Sequence, residues 1–147
     1  MQYMCDTPDK KTWFRLETEY EADQESVLME HGVEKHFRRA RECACLSHKP
    51  TASIFVEQDI GLKAHIMKVM PLFLTLRDSD GNGLATAMLP PEGVPDGGFR
   101  KIIVSAGNTD PYPKHETAIR ALGNHFGITL DRASCYPYKR EQPVAAS

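Results

Sequence analysis

A chain of 147 residues that is 41% apolar is long enough for one domain with a core and short for two. Its 18 basic and 20 acidic residues leave a formal net charge of -2, which argues against a nucleic-acid-binding face, and no apolar run reaches membrane-spanning length. The N-terminal residues lack the apolar stretch of a secretory leader, so the four cysteines are expected as free thiols in the cytoplasm.

Residues 1–11 are polar and read as a loose lead-in. Residues 12–17 (Thr-Trp-Phe-Arg-Leu-Glu) have the aromatic, alternating character of a strand. Thr18 and Glu21 then match a capping box, whose hydroxyl and carboxylate satisfy orphan amides at a helix start. Ala22, Ser26, Met29, Val33, Phe37, Ala40 and Ala44 fall on one helical stripe, which predicts a single long helix. Acidic residues crowd its beginning and basic residues its end, as the helix dipole favours, and Pro50 stops it.

Residues 52–57 read as a short apolar strand. Over 59–70, Leu62, Ile66 and Val69 fit a short helix capped by Asp59, although His65, Met67 and Val69 also alternate as a strand would. Residues 71–89 predict a hairpin around Asp-Ser-Asp-Gly-Asn-Gly. An odd-numbered loop would set Leu72, Leu74 and Leu76 on one face with Leu84, Thr86 and Met88. An even-numbered one would pair them with Ala85, Ala87 and Leu89, and the sequence leaves both open.

Turn formers fill 90–98, and residues 99–105 read as a central strand covered on both faces. Pro113 and Gly127 bracket a helix with Ile119, Leu122 and Phe126 on its apolar side. A last strand over 128–130 and a frayed tail over 140–147 complete the reading, with one domain spanning 12–139. The expected class is α+β, with a mixed, largely antiparallel sheet and two crossover units bracketing the hairpin. Its long N-terminal helix and C-terminal helix would pack mainly on one face, in a ferredoxin-like or related sandwich with extra strands.

Four places could carry chemistry. Asp78, Asp80, Asn82 and Gly83 match the opening of a calcium loop, but Leu89 stands where its bidentate Glu is required, so a plain turn is expected. Cys43 and Cys45 lie two apart on a helix and point about 200° from each other, which favours one packed and one exposed thiol over zinc. Glu57 and Asp59 are a closely spaced acidic pair whose simplest role is capping by Asp59.

The most site-like stretch is 105–115. There Gly107, Asn108, Thr109 and Asp110 would let a ligand approach the backbone at a helix N-terminus. His115, in the first turn, would be held neutral and could serve as a general base. No nucleophile elbow, Walker motif, dinucleotide fingerprint or zinc-protease motif occurs, and no metal or other cofactor is expected.

The function expected from these features is a small soluble binding or interaction module. Its partner is unknown, nucleic acid and membrane are not expected, and self-association through a sheet edge is a natural form of it. The exposed face of the hairpin (Phe73, Thr75, Arg77) would be the contact surface. The alternative is a small enzyme acting on an anionic metabolite with His115 as base.

Overall fold

In a computed structural model, which describes residues 1–48, 55–94 and 100–138, five strands hydrogen-bond in chain order. They are β1 (Gln2–Asp6), β2 (Thr12–Arg15), β3 (Leu72–Arg77), β4 (Gly83–Leu89) and β5 (Ile102–Val104). Every neighbouring pair is antiparallel. With helices α1 (Glu19–Met29), α2 (Val33–Ser47), α3 (Phe55–Val69) and α4 (Tyr112–Phe126), the chain is an α+β domain with an open antiparallel sheet.

The expected mixed sheet with two crossovers is corrected by that strand order. A ferredoxin-like arrangement needs crossovers to interleave the strands, whereas these five follow one another as a meander. The loose lead-in is corrected too, because residues 2–6 form the edge strand β1.

The helices occupy both faces of the sheet, not mainly one. Successive side chains of a strand alternate between faces. Leu72, Leu74 and Leu76 accordingly meet Trp13 and α4 residues Ala118, Ile119 and Leu122 on one side. Phe73 points the other way, into a cluster with Ala22 of α1, Phe37 and Ala44 of α2, and Ile66 of α3. Phe73 and Thr75, expected on an exposed contact surface, are therefore fully covered.

The hairpin contains both parities. The loop over residues 78–82 is odd, and it pairs Arg77 with Gly83. A bulge at Leu84 then shifts the register, so that Leu72, Leu74 and Leu76 stand opposite Leu89, Ala87 and Ala85.

The long N-terminal helix is broken. Glu30 adopts a left-handed conformation (φ 52°) that ends α1, and α2 begins after Gly32. Met29 and Val33 are both buried on either side, so the apolar spacing runs through the break unchanged and hides it in the sequence. The charges read as dipole partners instead bridge the two helices: Arg41 reaches Glu19 at 3.3 Å, and Arg38 reaches Asp23 at 3.7 Å. Exposed pairs of this kind contribute little individually.

Thr18 caps α1 as expected, its hydroxyl accepting from the Glu21 amide at 3.1 Å. The Glu21 carboxylate reaches one residue further back than in a standard box, to the Glu17 amide. Thr18→Ala should lower stability by about 1 kcal/mol, read as a lower urea midpoint with an unchanged m-value.

The strand expected over 52–57 is corrected for its last residues, which belong to α3, while 52–54 fall outside the described residues. A helix over 59–70 is observed, but it starts earlier, so Asp59 lies inside it rather than at its cap. β5 is a short edge strand, not a central one. Its consecutive apolar residues arise because Ile103 packs with α4's core while Ile102 and Val104 line a cavity on the opposite face. The backbone at Tyr136 covers that edge, donating to Lys101 O at 2.7 Å and accepting from the Ile103 amide at 3.3 Å.

Residues 128–130 form no strand. Gly127 caps α4 in the left-handed conformation, and the Ile128 amide bonds back to Gly123 O. That return is so close that a Cβ at Gly123 would lie 2.8 Å from the Ile128 carbonyl oxygen. The tail expected over 140–147 lies outside the described residues.

Candidate functional site

The loop before α4 is largely occupied by its own hydrogen bonds. The Thr109 hydroxyl donates to Ala106 O at 2.7 Å. Asp110 accepts from the Tyr112 amide through one oxygen and from Arg132 through the other, each at 3.0 Å. Gly107 (φ 66°) and Asn108 (φ 59°) are consecutive left-handed residues, a conformation that glycine and asparagine tolerate best. Asn108 differs from its neighbours because it lines a cavity.

His115 meets a different part of the chain. Its Nδ1 lies 3.1 Å from Lys11 Nζ in the β1–β2 connection, and that ammonium also contacts Asp9 at 2.7 Å. An ammonium can only donate, so Nδ1 accepts and the ring proton sits on Nε2. Burial, followed by the Lys11 charge, holds the His115 pKa below its ordinary value of 6.5.

The cavity lies where the break between α1 and α2 crosses β4 and β5. Behind it runs a hydrogen-bonded chain that the sequence did not reveal. The Glu25 carboxylate is completely buried. It accepts from Arg77 Nη2 on Oε1 and from the Thr86 hydroxyl on Oε2, each at 2.7 Å. Thr86 Oγ1 is in turn 2.8 Å from His31 Nε2.

One hydroxyl has one proton. Since a carboxylate accepts only, Thr86 donates to Glu25 and receives from the Nε2–H of His31. His31 Nδ1 then accepts from the Val33 amide, at a long 3.4 Å. Both ring nitrogens are thus committed to the neutral form. Burial lowers the His31 pKa below 6.5, against the opposing pull of Glu25 and Glu34. Among the described residues no buried side-chain nitrogen or oxygen lacks a partner.

The spacing along α1 marks Glu25 as buried. It lies three residues after Ala22 and four before Met29, on the buried side of α1, where a lone carboxylate needs a partner. The left-handed Glu30 ends α1 and lets His31 leave the helix and reach Thr86 before α2 starts after Gly32.

The cavity measures about 190 Å³. Phe73, Met88 and Val104 make its apolar wall, and His31, His36 and Asn108 add polar edges. His36 and Asn108 have no hydrogen-bond partner among the described residues, whereas His31 is saturated. A wider depression of about 580 Å³ runs between α4 and residues 128–133, but its rim includes the already paired Glu116 and Arg120.

Asp78 carries the remaining turn. One of its oxygens accepts from the Asp80 and Asn82 amides, the other from the Asn82 carboxamide. These bonds make an ordinary Asx turn and hold the Asp78 pKa below its usual value. Cys43 and Cys45 are both exposed, so the packed thiol expected of the pair is not found there; Cys135 is the buried one. Glu57 and Asp59 both fall within α3. Among the described residues no group of three or more His, Cys, Asp or Glu could hold a metal ion, and no helix is long and apolar enough to cross a membrane.

The two lowered histidines imply acid sensitivity. A folded pKa below the unfolded one means that the unfolded chain binds protons first as pH falls. The stability that His31 and His115 contribute is therefore complete above about pH 6.5 and declines as pH drops toward their folded values. Melting temperature should fall between pH 7.5 and 5.5, and His115→Gln should flatten that slope. Asp9, Glu21 and Glu34, all lowered, act in a separate window at lower pH.

No protein-family model, curated protein or solved structure matches the chain.

Proposed function

We propose that this protein is a non-enzymatic binding module whose site is the cavity at the α1–α2 break. One observation carries the reading. The polar groups behind the cavity are closed into the Arg77–Glu25–Thr86–His31 chain, while the apolar wall and the edges at His36 and Asn108 are left for a ligand. At the inner wall, no lone pair or proton of that chain is left to face a reactant. The volume suits a single ring, since an apolar cavity of about 150 Å³ admits benzene. The four free thiols fit a reducing cytoplasmic setting.

The test is a protein-observed methyl NMR screen of single-ring fragments against the full chain. Hits should shift the Met88 and Val104 methyls and disappear in Ile102→Trp, which narrows the cavity. A screen without hits at those methyls would reject the reading.

Self-association through β1 is a second reading. Tyr3 on that strand is 57% exposed, and no described strand pairs with its outer side, whereas Tyr136 covers the opposite edge. A sedimentation coefficient independent of concentration would remove it. Enzymatic action on an anionic metabolite, with His115 as base, has weaker support because Lys11 occupies the Nδ1 lone pair. It requires a turnover that His115→Ala abolishes without unfolding the chain.

A further inference from the structure

We infer that the ligand of this cavity is a small monocarboxylate, its ring or alkyl group on Phe73, Met88 and Val104 and its carboxylate at the edge between His36 and Asn108. The inference rests on the binding reading above and deepens it. Its basis is the supply of unused hydrogen-bonding groups. His31 has both nitrogens engaged, and the Thr86 proton is committed to Glu25. A ligand's polar end therefore has little to gain at the inner wall.

At the outer edge the inventory is different. The Asn108 carboxamide offers two N–H donors, and the His36 ring offers at least one. Neither group has a partner among the described residues. Arg39, three residues beyond His36 on the same side of α2, forms no ion pair among the described residues. Unengaged N–H donors favour an anion and disfavour an ammonium, which can only donate. The anion has to be compact, because the remaining space takes one ring. A carboxylate, with two acceptor oxygens on a planar group, satisfies both donors at once.

The left-handed backbone at Asn108 fits this role. With φ at 59°, the position would hold glycine at lower cost than almost any other residue. Asparagine tolerates the conformation while presenting a carboxamide to the cavity.

Isothermal titration calorimetry of the full chain with benzoate, benzyl alcohol and benzylammonium tests the inference. Benzoate should bind about tenfold or more tighter than either competitor, as a charge-assisted pair of hydrogen bonds would give. His36→Ala and Asn108→Gly should each weaken benzoate several-fold and weaken the uncharged benzyl alcohol by clearly less. Glycine is chosen because it keeps the backbone conformation without the carboxamide. Both positions are exposed, and melting curves separate lost binding from lost folding.

If all three probes bind equally and ignore both substitutions, yet are lost in Ile102→Trp, the carboxylate is wrong and the binding module stands. If none of the probes shifts the Met88 or Val104 methyls at millimolar concentration, both readings fall.

Discussion

Glu25→Ala should destabilise the fold by about 3–5 kcal/mol, the range for breaking a buried ion pair by removing one partner. Glu25 is wholly inaccessible, and its two oxygens serve Arg77 and Thr86. Removing the carboxylate strands the Arg77 guanidinium, which keeps its bond to Thr75 at 2.9 Å but loses its only anion among the described residues. The Thr86 hydroxyl loses its acceptor as well. Partial exposure of Arg77 lets water reach it, which places the expected cost toward the lower end of the range.

Two controls separate charge from shape. Glu25→Gln preserves volume and one acceptor, so it should cost about 1–3 kcal/mol. Glu25→Leu combined with Arg77→Met should recover most of the loss, because paired apolar substitutes avoid the desolvation penalty. Urea unfolding of the four-member cycle yields the coupling energy. The link to His31 gives an independent readout: Glu25 raises the His31 pKa against burial, so Glu25→Gln should lower it further in an NMR titration.

Trp13→Ala should cost about 3–5 kcal/mol and lower the melting temperature by roughly 10 °C, taking about 2–4 °C per kcal/mol for a chain of this size. The indole is fully buried among Leu72, Leu74, Leu76 and α4. Its Nε1–H donates to Ala118 O at 2.8 Å, tying β2 to the middle of α4. Trp13→Phe should lose less than half as much, because the Ala118 carbonyl can keep its helical partner and most of the aromatic area stays. If alanine and phenylalanine gave equal losses, the hydrogen bond rather than the volume would dominate.

Local chemistry made some elements legible. The hairpin and α4 carried both their periodicity and their terminators, with Gly127 acting at the expected end. What could not be read was set by distant contacts. The helix break keeps its apolar spacing and is stabilised by His31 meeting Thr86, far along the chain. Residues 52–57 suggested a strand, yet 55–57 belong to α3; strand preference is the more context-dependent of the two. At the site, Asn108 was legible as an unusual loop residue. His36 and His31 were not, because their place beside it depends on how α2 lies over β4 and β5.

The strand order has a kinetic consequence. β2 and β3 are neighbours in the sheet, but residues 16–71, with α1, α2 and α3, separate them in the chain. Every other strand pair closes a much shorter connection. Within the sheet, long-range strand pairing is therefore confined to one seam, Thr12–Arg15 against Leu74–Arg77. Loop-closure entropy grows only slowly with length, so this excursion costs little at equilibrium, but it delays a contact the native sheet requires. The local β3–β4 hairpin is expected to form first, with the return of β2 and its Trp13 as the slow event.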